Sequence, residues 1–202
     1  MKSPVSPAPA THWPRVLVLW LCGIVAAMQF AKVSFGFVAL QQWYAVTPAR
    51  MGLALSTVGM VGLVFGVTVG LLAPAIGYRR LLVAGMGLGA VLSLLQTWML
   101  PFPLFWLTRV LEGASHLAVV VAAPTLMAGS CAPQHRSVVM GLWSTFVGVG
   151  YALTGAAAGW IMARWGLSGL LLAHAVAMGV MAGEAGTSTA VEGALVMPAP
   201  VM

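Results

Sequence analysis

The sequence predicts an all-α protein that crosses a membrane with six helices. Hydrophobic residues make up 61% of the 202 residues and charged residues only 6%, and the mean hydropathy is +1.01. A soluble domain carries about a quarter charged residues, so most of this surface must face lipid. The chain also contains six apolar runs of the length that crosses a hydrocarbon core, about 20 residues.

The six predicted spans follow one another with short connections. The first begins after a Pro-rich polar N-terminus, residues 1–15, which we expect to be disordered in the cytoplasm. This first apolar run is longer than a signal-peptide core, and no small-residue cleavage site ends it, so we expect it to remain uncleaved as the first span. The connections "QQWYAVTPAR", "AIGYRR", "PFP", "CAPQHRS" and "ARWG" contain helix breakers and charges. The predicted transmembrane domain, 16–183, comprises spans 16–40, 51–74, 81–100, 104–129, 138–162 and 167–183, and a cytoplasmic tail, 184–202, follows it.

Basic residues in the connections predict the orientation. Lys and Arg accumulate on the cytoplasmic side of membrane proteins. With the N-terminus inside, that side holds Lys2, Arg15, Arg79, Arg80 and Arg136, and the outside holds Arg50 and Arg164. We therefore expect a multi-pass protein of the cell inner membrane with both termini in the cytoplasm.

The same composition argues against several other classes. The isoelectric point is about 10.2, but the basic residues are scattered singly rather than clustered, so nucleic-acid binding is not expected. Cys22 and Cys131 lie at unrelated depths, which indicates neither a disulfide framework nor a metal site. No cofactor is predicted, and the lipid bilayer is the expected partner of the apolar surface.

The predicted fourth span contains an unusual group of polar residues, Arg109, Glu112 and His116. At about 100° per residue these side chains share one stripe of the helix, beside Gly113, while Ser115 points elsewhere. A charge near the bilayer centre is costly, so the stripe should face protein or water rather than lipid.

The first span adds Gln29 and Lys32, three residues apart. In one interpretation Lys32 and Arg109 line a central cavity that is net positive and attracts an anion. In the other, Lys32 reaches the outer interface, and Arg109 and Glu112 form a structural salt bridge. His116 is either a proton relay or a hydrogen-bonded structural group.

Glycines at four-residue spacing mark candidate helix-packing faces. A face without side chains lets two helix backbones approach closely. These faces are either ordinary packing surfaces or surfaces that slide during a functional motion. The residues are Gly62, Gly66 and Gly70 in the second span, Gly113 in the fourth, and Gly155 and Gly159 in the fifth.

A weak internal repeat relates the second and fifth spans. "RMGLALSTVGMVG", from Arg50, and "MGLWSTFVGVG", from Met140, share Met-Gly-Leu, then Ser-Thr, then a Gly pair. This pairing is expected if spans one to three and four to six form a 3+3 inverted repeat. Chance similarity between two Gly-rich segments is the alternative.

Residues 70–80, "GLLAPAIGYRR", resemble the loop between spans two and three of the major facilitator superfamily, whose pattern is close to Gly-x-Leu-x-Asp-Arg-x-Gly-Arg-Arg. Gly70, Gly77, Arg79 and Arg80 match it, as does Leu72. Pro74 and Ala75 stand in place of the acid and base, so the gate lock that the acid supports in the family is in question here. "RVLEG" similarly resembles the family's Arg-x-x-x-Gly element, with Arg109 and Gly113 in register, and "APQHRSVVMG" resembles the loop that enters span five.

The resemblance implies a transporter rather than an enzyme. Family members have twelve spans in two halves and move a small solute between them by alternating access. The chain resembles the N-terminal half, so we expect a truncated transporter, or a half that pairs with a second half or a second copy. The residues expected to bind substrate are Gln29, Lys32, Arg109, Glu112 and His116, with an anion as the expected substrate and protons as a candidate coupling ion.

Two other classes are considered. Ser115 and His174 lie in spans four and six in the order of a rhomboid-type intramembrane serine protease. However, "GASH" departs from the Gly-x-Ser-Gly motif, and Ala177 replaces the glycine that follows the histidine in that family. A non-transporting membrane scaffold is the other alternative.

Overall fold

The computed structural model describes residues 10–195, with side chains described to residue 187. The rest of the predicted disordered N-terminus and the end of the predicted tail lie outside the described residues. Within them the chain is helical, without strands. The helices are α1 (Trp13–Phe35), α2 (Phe37–Tyr44), α3 (Pro48–Ile76), α4 (Tyr78–Gln96), α5 (Phe102–Gly129), a 3-10 turn (Pro133–His135), α6 (Arg136–Ser144) and α7 (Phe146–Leu195).

Local sequence explains where several helices begin and end. Ala45 adopts a left-handed conformation, φ 49°, and ends α2. The Thr47 hydroxyl accepts a hydrogen bond from the Arg50 backbone N–H, and Pro48 occupies the first turn of α3, where its missing N–H costs nothing. Gly77, with φ 91°, is the whole connection between α3 and α4. The "AIGYRR" connection is therefore shorter than the sequence predicts, because one glycine makes the turn.

Five described helical segments are long and apolar enough to cross a membrane. The last of them, Pro133–Thr187, has 55 residues, far more than the roughly 20 that one crossing requires. It contains the fifth and sixth predicted spans. Gly166 interrupts α7 with φ 67° and ψ −171°, a conformation that is essentially restricted to glycine.

Two apolar layers make up the core. One contains Val16, Leu19 and Cys22 of α1 packed with α4, α5 and α7 residues such as Met86, Val119 and Met178. The other contains Val33 of α1, Leu40 of α2, Met51 and Ala54 of α3, and Phe105 of α5. Along α1 and α5, the segments between the two layers contain Gln29, Lys32, Arg109 and Glu112, so the charged residues lie in the middle of the bundle.

The helix α3 lies at the edge of the described bundle. Its contacts are mainly with α5, and Leu63, Val67 and Leu71 on its other side are 77–86% exposed. This apolar face has no neighbour among the described residues.

Candidate functional site

The carboxylate of Glu112 joins three helices at the centre of the bundle. Its Oε1 accepts a hydrogen bond from Lys32 Nζ of α1 at 2.5 Å, and Ser93 Oγ of α4 lies 3.2 Å from the same oxygen. Its Oε2 accepts from Gln96 Nε2 at 2.9 Å and from Arg109 Nη1, one turn earlier on α5. Glu112 is fully buried, and four polar side chains surround its carboxylate.

Lys32 is buried rather than interfacial. Its side chain is 1% exposed, and Nζ donates to Ser93 Oγ at 2.7 Å as well as to Glu112. The interpretation in which Lys32 reaches the outer interface is therefore wrong. Ser93 and Glu112 provide enough acceptors to hold the ammonium group in the bundle.

The charges of this cluster do not balance. Arg109 is fully buried and forms an ion pair with Glu112, as Lys32 does. Two cations and one anion leave one net positive charge in a low-dielectric environment. A buried ion pair is stable only when hydrogen bonds replace the lost hydration, and the polar side chains of α4 provide these bonds.

Three buried polar atoms of the cluster have no hydrogen-bond partner among the described residues. They are Gln29 Oε1, Gln96 Oε1 and Arg109 Nη2. The other donors of Arg109 are engaged, because Nη1 also donates to Gln29 O at 3.0 Å and Nε to Ala54 O at 3.5 Å. Buried polar groups are rarely left without a partner in native proteins, so these three atoms are available to a polar ligand or to water.

His116 lies outside this network although it shares the stripe. Its Nδ1 lies 3.1 Å from Ala26 O, so Nδ1 must be the donor because a carbonyl only accepts. Its ring packs edge-on against Phe30 at 4.9 Å. The structure thus brings Arg109, Glu112, Gln29 and Lys32 together and joins His116 to a backbone carbonyl instead.

Ser115 lies off the charged stripe, but it is buried as well. It accepts from Gln29 Nε2 at 2.9 Å and donates to Gly85 O at 2.7 Å. It is buried because α1, α3 and α4 all pack against α5, so that side chains off the charged stripe also meet a neighbouring helix.

Three polar contributors were missed from the sequence. Ser93 and Gln96 of α4 contact Glu112 directly, and Thr108 of α5 accepts from Gln96 Nε2 at 2.9 Å. Ser93 and Gln96 lie three residues apart in "LSLLQ", as Gln29 and Lys32 do in the first span, and this spacing was the available signal.

The Major Facilitator Superfamily model matches residues 19–186 of the chain. The chain belongs to the major facilitator superfamily. No curated protein matches it. Members of this family are multi-pass membrane transporters rather than enzymes, and they handle small solutes within a lipid bilayer.

The loop that resembles the family's gating loop contacts the second half of α7, at Gly186. Arg79 Nη2 donates to Gly186 O at 2.6 Å. A cavity of about 700 Å³ lies here, lined by Pro74, Gly77 and Arg80 among others. Gly70 lies further back on α3 with open space beside it. In this major facilitator protein a backbone carbonyl is thus the partner of Arg79, in a loop that lacks the family's acid.

The predicted packing glycines divide into two groups. A Cβ on Gly113 would lie 2.6 Å from Val61 Cβ of α3, and one on Gly155 would lie 2.7 Å from Phe35 Cζ of α1. These two glycines allow close helix approach within the bundle. A Cβ on Gly62, Gly66 or Gly159 would meet nothing within 4 Å, so packing of these three within the described bundle is not found. They lie on sides of α3 and α7 that face away from the core.

A third glycine allows α4 to approach the site. A Cβ on Gly89 would lie 2.7 Å from both Gln29 Nε2 and Ser115 Oγ, and nearer still to Met178 Cε. Gly89 lies four residues after Gly85, a spacing that was not among the packing faces expected from the sequence.

The structure also argues against the serine-protease alternative. His174 Nδ1 lies 2.8 Å from Ser93 Oγ and its Nε2 lies 3.1 Å from Val25 O. Ser115 is engaged with Gln29 and Gly85. A serine nucleophile needs the histidine within hydrogen-bond reach, and here each residue bonds to other partners.

Proposed function

We propose that this major facilitator protein moves a small anion across the cell inner membrane by alternating access. The observation behind the proposal is the buried triad of Lys32, Glu112 and Arg109, which has one net positive charge at the centre of the bundle. The same charges would attract an anion and repel a cation. Gln29 is the uncharged member of the proposed site.

The unused donor of Arg109 supports an anionic substrate. Nη2 of Arg109 is buried without a partner, while Nη1 is held by Glu112 and the Gln29 carbonyl. A guanidinium presents its donors in a planar fork that suits carboxylate and phosphate oxygens. A substrate oxygen would therefore complete the hydrogen bonding of Arg109 without first breaking its ion pair with Glu112.

Six crossings with both termini in the cytoplasm are part of the proposal. The break at Gly166 divides α7 into two stretches, each long enough to cross the membrane. The proposed crossings are then α1 with α2, α3, α4, α5, α6 with the first part of α7, and the second part of α7. Five basic residues against two support this orientation.

A 3+3 inverted repeat is supported by two similar helix contacts. The position of a Gly113 Cβ, in the fourth crossing, would be 3.0 Å from Val58 O of the second. The position of a Gly150 Cβ, in the fifth crossing, would be 2.9 Å from Ile24 O of the first. In a repeat that pairs crossing one with four and crossing two with five, the contact between crossings four and two corresponds to the contact between crossings one and five.

Alternating access requires a second bundle, which we propose packs on the exposed faces of α3 and α7. Gly62 and Gly66 of α3 and Gly159 of α7 leave room for a close approach. Small residues permit such contacts in membranes, where the hydrophobic effect between helices is absent. The second bundle is another six-helix half or a second copy of this chain.

Uptake into proteoliposomes tests the proposal. The probes are radiolabelled lactate and benzoate, each paired with its neutral amide, and inorganic phosphate. Wild type should take up at least one anion and neither amide, and Lys32→Ala and Arg109→Ala should abolish uptake. Arg164→Ala is the control, because it removes an exposed basic residue. If Lys32→Ala and Arg109→Ala transport like wild type, the proposed site is wrong. If folded wild type transports no probe, either at low protein density or when several copies of the chain share one vesicle, the scaffold alternative is favoured.

A further inference from the structure

His174 is a buried titratable group that the proposed anion site does not use. It lies on α7 beyond Gly166 and is 5% exposed. Its Nδ1 lies 2.8 Å from Ser93 Oγ, and Ser93 Oγ lies 3.2 Å from Glu112 Oε1. One hydroxyl therefore connects the imidazole of the last described helix to the central carboxylate.

The partners of His174 define which nitrogen holds the hydrogen in the neutral ring. Nε2 faces the carbonyl of Val25 at 3.1 Å, and a carbonyl oxygen only accepts, so Nε2 is the donor. Nδ1 of the neutral ring is then an acceptor. The Ser93 hydroxyl must point its single hydrogen at Nδ1, and in this state it donates nothing to Glu112.

A proton on Nδ1 reverses the Ser93 hydroxyl. Both nitrogens of the imidazolium are donors, so Ser93 Oγ must accept from Nδ1. Its own hydrogen then turns towards Glu112 Oε1, the only other acceptor that the described residues place beside it. Lys32 Nζ cannot take this hydrogen, because an ammonium group has no acceptor.

We propose that His174 and Ser93 form a proton relay that delivers a proton to Glu112 and takes it back. In the forward step the bond from His174 Nδ1 to hydrogen breaks and a new bond from Ser93 Oγ to hydrogen forms. The original Ser93 Oγ–H bond breaks, and its hydrogen forms a covalent bond with Glu112 Oε1. One proton moves from the imidazolium to the carboxylate, and no electrons are transferred.

The charges that face the relay make proton and anion binding favour each other. Lys32 of α1 and Arg109 and Glu112 of α5 face it, and α4 contributes the uncharged Ser93; His116 is joined to Ala26 O instead. One added proton raises the net charge of the cluster from one to two. When the proton is on Glu112, Lys32 loses its charged partner and can bind an anion. By linkage the anion then favours the proton to the same extent.

A small cavity reaches the relay from the side of α7. It has a volume of about 110 Å³, and its lining includes Lys32, Thr154 and His174. The cavity is too small for an organic substrate, since ligand sites usually exceed about 300 Å³. The relay rests on the proposed transport function for its purpose, and it replaces His116 with His174 as the proton-carrying histidine.

Infrared titration of the protein in phosphatidylcholine vesicles tests the relay without any substrate. The signal is the carboxylic-acid C=O stretch of Glu112, assigned as the band that Glu112→Gln removes. The matched pair is Ser93→Thr and Ser93→Val, which have the same shape and differ in the hydroxyl. We expect the band of Ser93→Thr to follow the wild-type pH profile, and that of Ser93→Val to be displaced by about one pH unit or more. His174→Gln should displace it as well, and His116→Gln should not.

Three outcomes would overturn the relay. They are equal profiles for Ser93→Thr and Ser93→Val, an equal displacement by His116→Gln and His174→Gln, and no Glu112 band at any pH at which circular dichroism remains native. A loss of anion uptake in wild type bears on the proposed function alone, because the infrared signal requires no transport. Variants whose circular dichroism is not native are replaced by Ser93→Cys and His174→Asn, with the same expectations as Ser93→Thr and His174→Gln.

Discussion

Lys32 Nζ lies 2.5 Å from Glu112 Oε1, and this bond joins α1 to α5 across 80 positions of sequence. Neither side chain is exposed to lipid or solvent. Together with Arg109, the pair connects the two helices that contain most of the buried charge. Several expected outcomes follow from this position.

Among substitutions that replace one charged residue of the triad by an uncharged one, Glu112→Gln should be the most destabilising. It leaves Lys32 and Arg109 buried without their anion, which costs about 3–5 kcal/mol. Lys32→Met should cost less, about 1–3 kcal/mol, because Glu112 keeps Arg109 and Gln96 as partners. Thermal unfolding in detergent micelles measures the difference, with Glu184→Gln, an exposed carboxyl, as control. A Lys32→Met variant as unstable as Glu112→Gln would show that the triad is not organised around the carboxylate.

Gly113→Ala should lower the stability of the bundle, and Gly66→Ala should leave it unchanged. The new methyl group at Gly113 would lie 2.6 Å from Val61 Cβ, and such overpacking costs about 1–3 kcal/mol. At Gly66 it meets nothing within 4 Å among the described residues, so the bundle should keep its stability. If Gly66 faces a second bundle, Gly66→Ala should reduce uptake without lowering the unfolding temperature. Equal unfolding temperatures for the two variants would contradict this arrangement.

Gly166→Ala should destabilise the bundle through its backbone. The φ of 67° with ψ of −171° costs a residue with a Cβ about 1–3 kcal/mol. Gly159→Ala is the control, because Gly159 lies within the helix and its Cβ position is open. Chemical denaturation of the two variants compares them directly. If the midpoint denaturant concentration of Gly166→Ala equals or exceeds that of Gly159→Ala, the break in α7 does not depend on glycine.

The location of the two termini distinguishes six crossings from five. With six, both ends lie in the cytoplasm, and with α7 crossing once, they lie on opposite sides. Fusions of green fluorescent protein and of alkaline phosphatase to each end measure this. We expect fluorescence and no phosphatase activity at both ends. Phosphatase activity at the C-terminus alone would contradict the six-crossing proposal.

The sequence predicted the all-α membrane fold and the family because both depend on features that a single chain displays. Apolar runs of spanning length predict helices, and Gly77, Arg79 and Arg80 stand at the positions of the family's loop. The rare charges Lys32, Arg109 and Glu112 were also evident, since each is costly in a bilayer. The structure adds that one carboxylate joins them.

The contacts between distant helices could not be read in the same way. Ser93 and His174 meet across 81 positions, and nothing in the sequence pairs them, although His174 alone is noticeable in an apolar helix. The burial of Ser115 could not be predicted either, because helix geometry alone does not show that other helices surround α5. The glycine spacing at 62 and 66 was informative about shape, but it could not show that this face points away from the described bundle.

The charge displaced when an anion binds tests the central claim most directly. Electrometry on a solid-supported membrane records the current that follows rapid addition of a ligand to proteoliposomes. For wild type we predict inward displacement of negative charge on addition of an anion that the uptake assay shows to be transported, for example benzoate, and none on addition of its neutral amide, with no anion signal from Arg109→Ala or Lys32→Ala. A current of equal size for the neutral amide, or one that persists in both variants, would contradict the account of a buried positive site that selects an anion.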